Sequence, residues 1–324
     1  MTFDIFKGRG DQLSATTVPP GSSGGTLDID PADYVADDAL ADAVNVALLL
    51  QQPLLLTGEP GTGKTQLAYR VAWELGLDEP LKFETKANSQ SRDLFYIYDA
   101  LGRFQARDTG AGSDALPFIR FGGLGIAVLL ASDKEADRQL LGRDAGPPRR
   151  SVVLIDEIDK APRDFPNDIL NEINLFYFRI PELGNREVRA PRERRPIVII
   201  TSNSEKDLPD AFLRRCVFYH INFPSPERLQ DIVMRHLGKS VAVDGFLSEA
   251  IALFAKIRDG QLRKKPATAE LLGWLIALRR IAPDVSVNPM ARREDVERTM
   301  STLVKTVEDQ EEVGRIVATW YKTR

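Results

Sequence analysis

The chain has 324 residues, of which 43% are hydrophobic and 28% charged, and its formal net charge is −4. These fractions are those of an ordinary globular protein, long enough for one large core and a smaller second domain. The small net charge gives no global electrostatic case for a nucleic acid or a membrane surface as partner.

The first 33 residues predict a flexible N-terminal extension, because residues 8–33 are rich in Gly, Pro, Ser and Asp. The chain start has no apolar signal region, and no apolar run approaches the roughly 18 residues of a membrane-spanning helix. The single cysteine, Cys216, excludes an internal disulfide framework and fits a reducing compartment. One cysteine and two histidines also argue against a zinc site. We therefore expect a cytoplasmic location and no membrane span.

A complete phosphate loop of the Walker A type follows the first strongly apolar run. A helical pattern begins at Tyr34, the run at residues 53–57 predicts a buried strand, and a second helical pattern follows the loop. This strand–loop–helix order is the context that makes the motif credible. The loop comprises Gly58, Glu59, Pro60, Gly61, Thr62, Gly63, Lys64 and Thr65.

These residue types are suited to holding the phosphates of a nucleotide. The glycines let the backbone curl, so that successive N–H groups point inward at phosphate oxygens. The helix that follows adds its positive N-terminal end at the same place. Lys64 is expected to reach the β- and γ-phosphates, and the Thr65 hydroxyl is expected to ligate Mg²⁺.

A long insert separates the phosphate loop from the next motif. After a predicted strand at residues 81–85, the spacing of 92 residues between Lys64 and Asp156 exceeds what one βαβ crossover needs. The excess, residues 86–150, contains Phe95, Tyr96 and Tyr98. These aromatic residues could grip a substrate, but their spacing favours packing within the insert.

Residues 151–159 predict a central strand that ends in two carboxylates. The continuous apolar character is typical of a parallel strand covered on both faces, and active groups collect beyond the carboxyl ends of such strands. Asp156 would hold Mg²⁺ directly or through a water, and Glu157 could polarise the water that attacks the γ-phosphate. Asp159 is expected to be a solvated turn residue or a helix cap.

The second half of the core alternates predicted helices and strands up to residue 223. A helix at 167–178 precedes a basic loop at 186–195, which is either a solvated hairpin or a surface facing a pore and an acidic partner. The strand at 196–201 leads to Asn203 in a turn. From Ser225 onward only helices are predicted, at residues 229–237, 246–257, 269–281, 292–307 and 311–321, and these are expected to form a separate bundle.

Residues 34–300 resemble the AAA+ ATPases. The resemblance rests on the two phosphate-handling motifs, the strand that leads to Asn203, an arginine pair and the helical C-terminal part. The loop string at 53–65 and the long insert look like the MoxR branch, which carries a helix-2 insert. The resemblance implies an α/β P-loop NTPase sheet sandwiched by helices and followed by a helical lid. The expected organisation is an extension at 1–33, a core at 34–223 with its insert at 86–150, and a lid at 224–324.

The resemblance also assigns roles beyond the two motifs. Asn203 matches the sensor-1 residue that helps hold the attacking water, although an Asn also simply favours turns. Arg215 matches the arginine finger that reaches a nucleotide in the neighbouring subunit, with Arg214 as the alternative. The lid departs from the family, since Glu270 stands where a sensor-2 arginine is expected. Lys264 or Lys265 could substitute, or the contact could be absent.

The resemblance implies a ring-forming ATPase, expected to be a hexamer, that binds ATP with Mg²⁺ between core and lid. Its expected role is chaperone-like remodelling of a protein client, and such clients often carry a von Willebrand factor A domain. The alternative is a signalling or scaffold module of a bacterial conflict system, with slow turnover. A nucleic-acid motor is disfavoured, because the chain has neither a recognisable DNA-binding module nor a basic charge.

Overall fold

The structure is a computed structural model, and it describes residues 30–106, 114–142, 146–203, 208–238, 245–281 and 287–323, without the side chain of residue 171. The chain divides into two compact units. The first comprises Met1–Gly58 and Lys64–Ile221, and the second comprises Glu59–Gly63 and Asn222–Arg324. The predicted extension lies almost wholly outside the described residues.

A five-stranded parallel sheet, in the order β2-β5-β8-β1-β9, forms the centre of the first unit. Its three inner strands are fully buried runs of mainly Leu, Val and Ile, which is the expected composition of a parallel strand covered on both faces. The strands are β1 (Leu54–Gly58), β2 (Leu81–Glu84), β5 (Val152–Asp156), β8 (Ile197–Thr201) and β9 (Val217–Ile221).

Alternate residues of each inner strand enter two different cores, one on each face of the sheet. Leu54 and Leu56 pack with one core, whereas Leu55 packs with the other. One face is covered by α1 (Asp38–Leu50) and α2 (Lys64–Glu74), and the other mainly by α4 (Gly123–Ala131), α6 (Phe165–Asp168) and α7 (Leu170–Leu175). The predicted parallel sheet sandwiched by helices is therefore confirmed.

The insert forms a small layer against one face of this sheet. It contains a two-stranded antiparallel pair, β3 (Tyr96–Tyr98) with β4 (Ile119–Phe121), and the short helices α3 (Ala100–Ala106) and α5 (Glu135–Arg138). Phe95 and Tyr96 are buried and contact the ring of Phe178, while Tyr98 is half-buried. Two of the three aromatic residues thus pack inside the molecule, as their spacing favoured.

A β-hairpin replaces the end of the predicted helix and the start of the predicted basic loop. The helix ends at Leu175 because Phe176 adopts a left-handed conformation with φ of 48°. The hairpin consists of β6 (Tyr177–Ile180) and β7 (Arg186–Arg189). Arg186 pairs with the buried carboxylate of Asp137 at 2.6 Å. Its charge therefore serves the packing of the insert against the hairpin.

The first unit ends with α8 (Asp210–Leu213) and β9, and all the regular secondary structure described in the second unit is helical. Its core contains the fully buried Trp274, whose indole N–H donates to the Thr299 hydroxyl at 2.9 Å. The predicted helix at 292–307 was too long, since α12 ends at Thr299. The helices are α9 (Pro226–Leu237), α10 (Phe246–Asp259), α11 (Thr268–Ile281), α12 (Arg293–Thr299) and α13 (Val307–Thr323).

Within the described ranges, no helix combines the length and apolarity needed to cross a membrane.

Candidate nucleotide-binding site

The phosphate loop joins the end of β1 to the first turn of α2. Gly61 and Gly63 have φ of 75° and 87°, values that side-chain-bearing residues rarely adopt, so the motif's glycines are required by the backbone. The Thr62 hydroxyl donates to the Glu59 carbonyl at 2.9 Å. The ammonium of Lys64 donates to the carbonyl of Gly58 at 2.8 Å and is largely buried.

Asp156, at the carboxyl end of β5, is the hub of the site. Its Oδ1 accepts from the Thr65 hydroxyl at 3.0 Å and from the Thr201 hydroxyl at 2.7 Å. Its Oδ2 lies 3.0 Å from the Lys82 ammonium, which comes from the neighbouring strand β2. The structure thus brings together Thr65 and Asp156, which stand 91 residues apart in the sequence.

These contacts keep Asp156 ionised. Burial by itself would raise its pKa, but the hydrogen bonds from Thr201, Lys82 and Thr65 outweigh burial, so the pKa lies below its ordinary value. The pKa of Lys82 lies above its ordinary value. Burial would lower this pKa, but the hydrogen bonds to Glu84 and Asp156 outweigh burial. The site therefore presents a carboxylate anion at neutral pH.

Glu157 adopts a left-handed conformation with φ of 57°, which turns the chain sharply at the end of the strand. Its backbone N–H donates to the Thr201 hydroxyl at 2.9 Å, and its carboxylate contacts the Lys160 ammonium. The side chain is 42% exposed, so it is open to water. A strained backbone at a strand tip is a common feature of catalytic positions.

Asn203 lies two residues beyond the end of β8, the strand next to β5. Its backbone N–H donates to the Asp159 carboxylate at 3.1 Å. Asp159 thereby links the turn after β5 to the turn after β8. It is more than a solvated turn residue, and this link was not predicted.

The arginine pair follows α8, and both side chains are exposed. Arg215 donates from Nη1 to the Ala211 carbonyl of the same turn at 3.0 Å.

In the second unit, Glu270 has a structural task. Its carboxylate accepts from the Ala267 N–H at 3.2 Å, one residue before α11 begins, which caps that helix. The cation next to the loop residues of this unit is Arg258, whose guanidinium lies 2.7 Å from the Glu59 carboxylate and over the Phe223 ring at 3.4 Å. Lys264 and Lys265, the two lysines that could substitute for a sensor-2 arginine, are exposed.

The donor set around Asp156 fits Mg²⁺. It offers a carboxylate and a hydroxyl, the hard oxygen ligands that this ion prefers. Among the described residues no cluster of three or more His, Cys, Asp or Glu could hold a metal by itself. Few protein ligands are typical of Mg²⁺ in nucleotide sites, where phosphate oxygens and waters complete the octahedron. The residues that would hold the ion are Thr65 and Asp156.

Two residues of the site, Thr201 and Lys82, were missed in the sequence. A Thr ending an apolar strand and a Lys inside a four-residue strand carry no motif. The only available signal was topological, because both residues lie on strands that flank β5.

A family model and several solved structures are similar to this chain. A family model described as "ATPase family associated with various cellular activities (AAA)" matches residues 54–225, more than half of the chain. No curated protein sequence matches. Among solved structures, a Thermotoga maritima RuvB variant is 16% identical with a TM-score of 0.46, over 84% of this chain and 69% of that one. The FIGL-1 AAA domain in complex with ADP is 19% identical with a TM-score of 0.39, over 84% and 78%.

The fold and site are those of a P-loop nucleotide-binding protein, with a parallel sheet and a phosphate loop that leads into a helix. The family match is more specific, and the chain belongs to the AAA ATPase family.

Proposed function

We propose that the protein binds and hydrolyses ATP to ADP and phosphate. The observation that carries the proposal is the contact of the Thr65 hydroxyl with Asp156 at 3.0 Å, directly after the phosphate loop. In P-loop proteins a loop hydroxyl and a strand-tip carboxylate together position the Mg²⁺ that accompanies a nucleoside triphosphate. Membership of the AAA ATPase family supports the proposal.

Each residue of the site has a stated task in this reaction. The loop N–H groups and Lys64 bind and orient the β- and γ-phosphates. Thr65 and Asp156 would hold Mg²⁺, which when bound would supply positive charge to the phosphates. Glu157 accepts hydrogen bonds from the attacking water and orients it in line with the γ-phosphate. Asn203 steadies the same water.

Glu157→Gln is the variant that tests this assignment. The amide keeps the size of the side chain but cannot polarise water as a carboxylate does, so ATP binding should persist while turnover falls by roughly 10²-fold or more. Binding of a fluorescent ATP analogue and release of phosphate are measured on the same preparation. Glu193→Gln, an exposed glutamate on the basic segment, serves as the control that should leave both unchanged. Turnover near the unmodified rate in Glu157→Gln would place the catalytic base elsewhere.

We further propose a MoxR-type ring, expected to be a hexamer, that remodels a protein client. The insert and the β6–β7 hairpin support this, because they add a layer of structure to the basic nucleotide-binding core. A client with a von Willebrand factor A domain is the partner that the branch implies. Co-purification with such a protein tests the proposed client. The complex should require ATP, and it should accumulate in Glu157→Gln, which is expected to bind ATP without hydrolysing it.

A signalling or scaffold module with slow turnover is the second candidate. The observation in its favour is Glu270, which caps α11 where the family has its sensor-2 arginine. Steady-state turnover measured against protein concentration separates the two. A remodelling machine should turn over faster as rings assemble, whereas a scaffold should assemble with ATP and hydrolyse it slowly at every concentration.

A further inference from the structure

Lys82 sits between two carboxylates at the edge of the nucleotide site. Its ammonium lies 3.0 Å from Asp156 Oδ2 and 2.9 Å from Glu84 Oε1. Lys82 and Glu84 are two residues apart on β2 and therefore lie on the same face of the strand, while Glu84 pairs in register with Asp156 on β5. The three charges form one row across the carboxyl ends of two neighbouring strands.

The two carboxylates that contact the Lys82 ammonium differ in their exposure to solvent. The Asp156 side chain is 10% exposed, whereas that of Glu84 is 68% exposed, and Lys82 itself is 31% exposed. With Oδ1 already accepting from two hydroxyls, Oδ2 has Lys82 as its positively charged partner. A carboxylate in this position is stabilised as an anion because a cation lies beside it.

The same carboxylate is the group that would hold Mg²⁺. A divalent ion at Asp156 and an ammonium at hydrogen-bond distance from the same carboxylate repel each other strongly in a partly buried site. Mg²⁺ also requires near-ideal octahedral geometry, which leaves little room for a competing donor. The Lys82 ammonium can withdraw to Glu84 without losing a partner, because Glu84 already contacts it.

We propose that Lys82 is a positioning residue that serves as the counter-ion of Asp156 until Mg²⁺ arrives with the nucleotide, and that it then moves to Glu84. Lys82 thereby orients Asp156 in the metal-free site and sets how strongly nucleotide binding depends on Mg²⁺. This inference rests on the proposed function, since it concerns the same nucleotide site.

The experiment measures the dissociation constant of fluorescent mant-ADP twice for each variant, once with saturating Mg²⁺ and once with EDTA. The dissociation constant in EDTA divided by that in Mg²⁺ gives the contribution of the metal to nucleotide binding. Lys82→Met removes the competing charge, so binding should depend on Mg²⁺ more strongly, with the ratio raised about tenfold or more, as for a neighbouring charge in a titration. Lys82→Arg keeps the cation and should stay near the unmodified ratio.

Glu84→Gln gives a shift of the opposite sign. Because this variant removes the negative charge at position 84, the Lys82 ammonium stays at Asp156. The dependence of mant-ADP binding on Mg²⁺ should therefore weaken severalfold. In the Lys82→Met background, Glu84→Gln should have a smaller effect, because there is no ammonium left to relocate. The opposite signs of the single variants keep the test decisive even if one of them folds poorly.

The outcomes separate this inference from the function on which it rests. Mant-ADP that fails to bind the unmodified protein at all would overturn both. Normal binding with the same Mg²⁺ dependence in Lys82→Met and the unmodified protein would overturn the role of Lys82 alone. A purely structural ion pair would lower the melting temperature of Lys82→Met and leave the ratio of dissociation constants unmoved.

Discussion

The Thr201 hydroxyl donates to Asp156 Oδ1 and accepts from the backbone N–H of Glu157. A single side chain on β8 thus orients both the carboxylate proposed to hold the metal and the backbone that presents the proposed base. Groups that orient a metal ligand commonly matter nearly as much as the ligand itself. At the residue scale, the chemistry of this site depends on a hydroxyl with no motif of its own.

Thr201→Val is expected to lower the rate of ATP hydrolysis by about 10–100-fold, because Val matches the shape of Thr but leaves the Glu157 N–H without its acceptor. The dissociation constant of mant-ADP in EDTA should change little, since the phosphate loop is untouched. Thr201→Ser keeps the hydroxyl and should retain most of the rate. Equal rates in the Val and Ser variants would show that the hydroxyl does not position the catalytic groups.

The same network makes the site sensitive to acid. Folding lowers the pKa of Asp156 because the hydrogen bonds from Thr201, Lys82 and Thr65 outweigh its burial. The ionised carboxylate therefore stabilises the fold above its ordinary pKa of 3.8, and this contribution is lost as the pH falls through the lower folded value. Acid titrations of thermal unfolding should show a larger fall in stability for the unmodified protein than for Asp156→Asn.

At the scale of elements, α4 lies so close to the backbone of Phe95, which precedes β3 within the same insert, that only glycine fits at position 125. A Cβ built there would lie 1.9 Å from the carbonyl oxygen of Phe95. Gly273, in the middle of α11, has open space around the same position. Substitution by Ala therefore meets a close backbone contact at position 125 and open space at position 273.

Gly125→Ala should destabilise the protein by about 2 kcal/mol or more, because a methyl group would force the helix away from the backbone at Phe95. Gly273→Ala should instead stabilise it by about 0.5–1 kcal/mol, since Ala restricts the unfolded chain and favours the helix. Differential scanning calorimetry of the whole chain measures both. A neutral Gly125→Ala would mean that α4 does not lie against the backbone at Phe95.

At the scale of the whole molecule, the exposed Arg215 and the buried Lys64 are assigned to different halves of one composite site. Arg215→Ala should bind ATP normally but fail to hydrolyse it, and Lys64→Ala should fail to bind it. Loss of a finger of this kind typically costs roughly 10³-fold or more in rate. Each variant alone should be inactive if neighbouring subunits share a site.

Mixing the two variants tests the sharing directly. A mixed interface combines the intact pocket of Arg215→Ala with the intact finger of Lys64→Ala, so that some hydrolysis should return. Arg214→Ala in place of Arg215→Ala is the matched control. Co-assembly without any rescue would mean that Arg215 acts within its own subunit or is structural, and rescue only with Arg214→Ala would move the finger to Arg214.

The sequence by itself determined the buried strands β1, β5 and β8, the phosphate loop and the helical nature of the C-terminal unit. The short apolar runs, bounded by turn residues, are typical of buried strands, and the loop glycines stand where φ is positive. The β6–β7 hairpin was not predicted, because its helix ends at the left-handed Phe176 and no glycine or proline marks that break.

Only the tertiary structure decided which side chains surround Asp156. Lys82, Thr65 and Thr201 come from two other strands and a helix, and they meet because parallel strands place their carboxyl ends along one edge of a sheet. Local sequence encodes backbone conformation through periodicity and steric limits, and such signals extend over a few residues. Contacts across strands depend on the order and register of the sheet, which arise only when the whole core packs.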